Sequence, residues 1–181
     1  MNNSQQKAFF QRCLYDALLN LMEAKPLPSI SIGELCNAAG VSRMTYYRSY
    51  EHMEDILLQH LDSCFSSFML DVAEVKDDLE KIIMLFFSYI GEEEDRFFRC
   101  LASSTAVHLL NDRFYQYISE LITLIYPDQH ISPYIRSYLA GGSYRIVVDW
   151  LQNGQDESCE AMTQILLSLI GCLRHFETRV F

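Results

Sequence analysis

The residues with the most to offer chemically lie between positions 29 and 57, and what they offer is recognition rather than catalysis. Ser31 and Glu34 have capping-box spacing. The Ser31 hydroxyl can accept from the Glu34 backbone N–H, and the Glu34 carboxylate can reach back to the Ser31 N–H. A helix is predicted over Ile32 to Ala39. Small Ala38 and Ala39 let a second helix approach, and Gly40 supplies the positive φ that ends a helix. Val41 fills the corner and Ser42 caps the next helix. That second helix carries Arg43, Met44, Thr45, Tyr47, Arg48 and Ser49. Two short helices about a Gly turn, the second with polar and aromatic tips, are the layout of a DNA-reading helix-turn-helix. Leu35, Ala39, Val41, Tyr46 and Tyr50 are expected to pack inward.

Catalytic constellations are missing. The five histidines (52, 60, 108, 130, 175) lie far apart in sequence, with no H-E-x-x-H or comparable ligand spacing. There is no G-x-S-x-G and no phosphate-cradling Gly-rich loop. The sequence therefore predicts no enzyme, no metal and no cofactor. The acidic run Glu92-Glu93-Glu94-Asp95 is expected to be a solvated helix start, where the dipole favours acid.

Ala39-Gly40-Val41-Ser42, then Thr45-Tyr46-Tyr47-Arg48 and the aromatic Tyr50, resemble the signature of TetR/AcrR-type transcriptional regulators. The spacing to Glu54, Ile56 and Leu57 fits the start of that family's fourth helix. The specific match covers about the first third of the chain. The resemblance implies that positions 42 to 45 and 47 to 49 face the major groove and that Ser31 lies near a phosphate. Arg43 would then pair with guanine, Thr45 would offer a methyl to thymine and a hydroxyl to phosphate, and Tyr47 and Arg48 would clamp phosphates. The family commonly carries Lys two residues before Asp55; this chain has Met53, so a backbone N–H or His52 is left to make that contact. A looser pattern, Gly141-Gly142, Val148-Asp149-Trp150-Leu151 and Gly154, resembles the dimerising end of small family members.

Hydrophobic periodicity supplies the elements that must position these residues. Lys7 to Glu23 reads as a helix with the stripe Phe10, Leu14, Ala17, Leu18 and Leu21, broken by Lys25-Pro26-Leu27-Pro28. Glu51 to about Ala73 reads as a long fourth helix. Further helices are expected over Asp77 to Ile90, Phe97 to Ser104, Val107 to Ile125, Pro133 to about Asn153 with Ser132 as cap, and Glu157 to Glu177. The fold class is all-α, about nine helices with no strand. The resemblance then implies a helix-turn-helix head over residues 1–50 (motif 31–50) and an effector-binding and dimerisation body over residues 51–181.

Of 181 residues, half are hydrophobic, enough for a sizeable core, and the net charge is −10. The charge is uneven: residues 1–60 carry five Lys/Arg against six Asp/Glu, and the remainder nine against eighteen. The acidity thus lies away from the reading head, which is itself only weakly basic. No stretch has the length and apolarity of a membrane span, and the N-terminus lacks a signal-peptide pattern, so a cytoplasmic protein is expected. The six cysteines show no C-x-x-C pair and read as reduced packing residues.

These observations imply a homodimeric, ligand-responsive repressor that binds double-stranded DNA at a palindromic operator. The alternative is a co-regulator that binds a partner protein with weak or no DNA binding; Met53 and the low basic count favour it. The expected DNA-contacting residues are Ser31, Ser42, Arg43, Met44, Thr45, Tyr47, Arg48, Ser49 and His52. The resemblance also implies a small hydrophobic effector among the aromatics of the body, with Tyr89, His108 and Tyr115 expected to orient it. The dimer interface is expected at Gly141, Gly142, Trp150, Leu166, Leu169 and Leu173.

Overall fold

A computed structural model describes the backbone of residues 3–104, 106–127 and 131–180. It also describes side chains within those ranges, except at 3, 4, 93, 103, 112 and 173–180. Nine α-helices and no strand are found among these residues: α1 (Asn3–Ala24), α2 (Ile32–Ala39), α3 (Arg43–Tyr47), α4 (Glu54–Val75), α5 (Leu79–Ser88), α6 (Asp95–Ser103), α7 (Val107–Ile125), α8 (Pro133–Gln152) and α9 (Cys159–Val180).

Helix starts follow local side-chain chemistry. Ser31 Oγ accepts from Glu34 N at 3.2 Å, Ser42 Oγ from Thr45 N at 3.1 Å, Asp78 Oδ1 from Lys81 N at 3.1 Å and Ser132 Oγ from Tyr134 N at 3.3 Å. Each satisfies one backbone donor that the first helical turn leaves unpaired. Pro133 follows the last of these caps at the first helical position, where its missing N–H does no harm. The fourth helix starts at Glu54 rather than Glu51, because residues 51–53 form a turn. Asp55 Oδ2 holds that turn by accepting from Glu51 N at 3.0 Å and His52 N at 2.7 Å.

The acidic run departs from expectation. The helix expected to stop near Gly91 continues past Ser88 as a π-helical turn over Tyr89–Glu93. Glu92 and Glu93 therefore belong to the end of one helical segment, and only Asp95 opens the next, where it pairs with Arg99. Gly91 is required within this turn: a Cβ there would stand 2.5 Å from the Trp150 ring.

One buried apolar cluster joins Leu14 and Leu18 of α1, Leu35 of α2 and Tyr46 of α3 to Ile56 and Leu61 of α4. It continues through Phe87 and Phe97 to Leu110, Trp150 and Leu166. The long fourth helix thus contributes to the packing of the N-terminal helices and of the body alike. A smaller cluster, Phe68, Val72 and Ile82, closes the far end of α4 against α5. Two polar bridges add to the junction. Arg96 of α6 donates to Glu23 of α1 at 2.8 Å, and Tyr50 Oη donates to Gln59 Oε1 at 2.6 Å, an oxygen that also accepts from Gln11 of α1.

Candidate nucleic-acid interface

The α2–α3 unit is held by backbone and core before any recognition is asked of it. Gly40 ends α2 at φ 66°, a conformation that penalises side chains by roughly 1–2 kcal/mol. A Cβ there would meet nothing within 4 Å, so the glycine is required by backbone geometry alone. Leu35 and Tyr46 are fully buried, Tyr50 is buried, and Ala39 and Val41 are half-buried. The Tyr46 hydroxyl has no hydrogen-bond partner, and burial, aided by nearby Asp55, pushes its pKa up to about 12.

This packing leaves one outward row. Ser42, Arg43, Met44, Tyr47 and Arg48 are exposed, Met44 at 70% and Tyr47 at 61%, and Ser31 is exposed at the start of α2. Met44 and Tyr47 place two large side chains side by side at the surface of a five-residue helix, the Tyr47 ring also meeting Tyr46 edge-on at 5.2 Å. Thr45 and Ser49 are half-buried. The Thr45 hydroxyl lies 2.9 Å from Ser42 Oγ, so it is already engaged within the cap.

Three details lay outside the reach of sequence spacing. The Glu34 carboxylate takes Lys25 Nζ at 2.5 Å as its main partner, rather than the Ser31 N–H that the capping box proposes. That hydrogen bond is the largest cause holding the Glu34 carboxyl below its ordinary value, with the Ser31 N–H the smallest. The Arg43 guanidinium folds back over Gly33: a Cβ on Gly33 would lie within contact distance of three guanidinium atoms. Finally, Met53 is buried in the core, 9% exposed. The backbone N–H groups of Glu51 and His52 are taken by Asp55, which leaves the exposed His52 ring as the polar group at this edge.

In the body, an apolar cavity of about 60 Å³ lies between α4, α5, the π turn, α6 and α7. Phe65, Phe68, Phe86, Tyr89, Phe114 and Tyr117 are among its walls. Tyr89 lines it, whereas His108 and Tyr115 are exposed and line no part of it. The reason is helical phase: Leu110, Phe114, Tyr117 and Leu121 take the inward face of α7. Tyr117, on that inward face, donates to Asp62 Oδ1 at 2.6 Å beside the cavity. Arg113 approaches the same carboxylate at 3.4 Å.

The expected interface residues divide. Trp150 is buried within its own chain, edge-to-face with Phe87 at 5.4 Å and donating Nε1–H to Glu157 O at 2.9 Å, and Leu166 is buried too. Neither is presented to a partner. Gly141 and Leu169 are exposed and Gly142 half-exposed, with open space beside both glycines. The Leu173 side chain lies outside the described residues. Tyr134 (87% exposed) and Tyr138 extend the Gly141 face of α8, and Ile165 shares the Leu169 face of α9.

Residues 77–171 match the family described as the C-terminal region of TetR-type transcriptional regulators. No curated protein sequence matches the chain. Among solved structures, Lin0861 from Listeria innocua is similar at TM-score 0.79 and 21% identity, covering 96% of this chain and 95% of that one. The dihydroxyacetone kinase operon activator DhaS is similar at TM-score 0.62 and 18% identity, over 91% and 95%. NalD, the secondary repressor of the MexAB-OprM multidrug efflux pump in Pseudomonas aeruginosa, is similar at TM-score 0.60 and 14% identity, over 93% and 95%.

Proposed function

We propose that this chain, which belongs to the TetR family of transcriptional regulators, binds a palindromic operator as a homodimer through residues 31–49 and represses by occupying it. The observation that carries the reading is the exposed row Ser42, Arg43, Met44, Tyr47 and Arg48 on a capped helix whose other face is buried at Tyr46. Tyr47 and Arg48 serve as phosphate clamps, and Arg43, once swung off Gly33, reads a base edge. The Tyr134–Tyr138–Gly141 face of α8 and the Ile165–Leu169 face of α9 pair with their copies in the dimer. Among proteins of this fold, DhaS is an activator and NalD a repressor. Repression is the simpler reading for a head that occupies its operator until an effector arrives.

The effector is a small, hydrophobic, neutral or cationic molecule at the aromatic cavity. The acidic body disfavours anions at long range. At about 60 Å³ the cavity is smaller than the roughly 300–1,000 Å³ of typical ligand sites. Binding must therefore displace wall side chains, which come from α4, α5, the π turn, α6 and α7. Salt-dependent DNA retention tests the central reading. Wild type should be retained and should elute with rising salt, and Arg48→Ala should weaken binding to all sequences and flatten the salt slope by about one unit. Passage through the column at low salt would favour the co-regulator reading, to which the buried Met53 lends support.

A further inference from the structure

At the junction of α1, α4 and the turn before α6, three side chains of different chemistry converge. His60 and Cys64 are one helical turn apart on α4 and so share a face. Glu94 arrives from the π-helical turn, where its backbone N–H bonds Tyr89 O at 2.9 Å. Single π turns recur at functional sites. His60 Nε2 is 3.0 Å from Glu94 Oε2, and donor atoms of all three residues lie within 4.8 Å of one another. We propose that His60, Cys64 and Glu94 form a binding site for a divalent transition-metal ion of the Zn(II) class.

The donor set selects the ion. One imidazole nitrogen, one sulfur and one carboxylate suit Zn(II), whereas Mg(II) and Ca(II) require oxygen throughout. With bonds of about 2.0–2.3 Å, a tetrahedral ion holds its donors roughly 3.3–3.8 Å apart. The present donor separations extend to 4.8 Å, so binding requires the three donors to draw closer. Cys64 is buried, while His60 and Glu94 are about one-quarter exposed. The site is thus sheltered on the core side. It is open on the other to a groove of about 480 Å³ that His60 and Glu94 line with Gln11, Tyr15, Gln59 and Ser63. Water from that groove supplies the fourth ligand.

Support for the ligand geometry is already built. The Tyr15 ring stacks on the His60 imidazole at 4.0 Å, and Phe97 meets it edge-on at 4.6 Å. Both packing contacts restrict the plane of the ring. Binding transfers the Cys64 thiol proton to solvent. The proton held in the 3.0 Å His60 Nε2–Glu94 Oε2 contact must likewise leave that contact, for Nδ1 or for solvent, so that Nε2 presents its lone pair to the ion. The 2+ charge is balanced by one thiolate and one carboxylate. The site does not depend on the DNA-binding reading. Its consequence is local: the ion cross-links α4 to the start of α6 beside α1, at the head–body junction.

The test uses the full chain, reduced and stripped of metal with a chelator. Zn(II) is titrated against a chromophoric chelator, and Co(II) is added separately to read the thiolate-to-cobalt charge-transfer band. One ion per chain, a charge-transfer band in wild type, loss of that band in Cys64→Ser and at least tenfold weaker Zn(II) binding in Glu94→Gln are expected. Cys100→Ser, a buried cysteine outside the cluster, should retain both signals. Melting curves of the metal-free variants separate loss of the site from loss of the fold, and Glu94→Gln, being partly exposed, keeps the test intact if Cys64→Ser unfolds. Absence of the band in wild type, or a band and affinity that survive Cys64→Ser or Glu94→Gln, would overturn the proposal.

Discussion

Gly33→Ala separates the two roles available to Arg43. In the resting structure the Arg43 guanidinium occupies the space a side chain at position 33 would need, with Nη2 nearest. The obstructing atoms are the far end of a flexible, exposed side chain, so the alanine is accommodated by moving Arg43 outward rather than by shifting backbone. Gly33 lies in the first turn of α2 at an ordinary helical φ. Replacing it there removes conformational freedom from the unfolded chain and should stabilise the fold by about 0.5–1 kcal/mol. For a chain in the 150–250-residue class, 1 kcal/mol moves Tm by about 2–4 °C, so a rise of roughly 1–4 °C is expected. Differential scanning calorimetry reads the stability, and fluorescence anisotropy on the selected operator reads the affinity. If Arg43 must leave α2 to reach a base, the variant has already made that move, and operator affinity should hold or rise. A Tm increase with a tenfold loss of affinity would refute the reasoning and make the Gly33–Arg43 contact itself a brace of the reading helix.

The remaining expectations are narrower. Tyr46→Phe removes a buried hydroxyl without a partner and should stabilise by up to about 1 kcal/mol, whereas Tyr50→Phe breaks the 2.6 Å bond to Gln59 and should destabilise by about 1 kcal/mol; urea midpoints of the two variants should move in opposite directions. Trp150→Ala should cost about 3–5 kcal/mol as a core truncation, while Ile165→Glu with Leu169→Glu should leave a folded monomer by sedimentation; the reverse pattern would restore Trp150 as an interface anchor. The carboxyls of Glu23, Glu34, Asp78 and Glu160 are held below their ordinary values: Glu23 and Glu34 chiefly by hydrogen bonds from Arg96 and Lys25, Asp78 and Glu160 chiefly by backbone N–H groups. Groups with depressed folded values stabilise the fold above their ordinary range, near 4.5 for Glu, and lose that contribution as pH falls through the folded values. Tm should therefore be flat near neutrality and fall below about pH 4.5, and a Tm that rises on acidification would contradict these pairings.

The local parts of the fold were readable because their causes are local. Ser31, Gly40, Ser42, Ser132 and Pro133 act within a turn of their own position, and the ends they predict for α2 and the start of α8 are those observed. Helical phase likewise assigned Leu14, Leu35, Tyr46 and Tyr50 inward. Partners distant in sequence were out of reach. Nothing near Glu34 says that Lys25 will claim its carboxylate, and nothing near Trp150 says that Phe87 and Gly91 enclose it. The cluster of His60, Cys64 and Glu94 was hidden for the same reason: its third member is brought in by a π-helical turn where periodicity suggested a helix end. His108 and Tyr115 failed as cavity residues because composition identifies polar aromatics without saying which face of α7 they occupy.

Selection from a random double-stranded library tests the central claim most directly. Purified chain is incubated with the library at low salt, bound DNA is amplified through several rounds, and the winners are sequenced. A site dimer reading residues 42–48 predicts enrichment of an inverted repeat, with binding to the winner that weakens steeply with salt and loses base preference in Arg43→Ala. A pool that stays unenriched, or an enriched site bound equally by wild type, Arg43→Ala and Arg48→Ala, would contradict the assignment of this face to DNA.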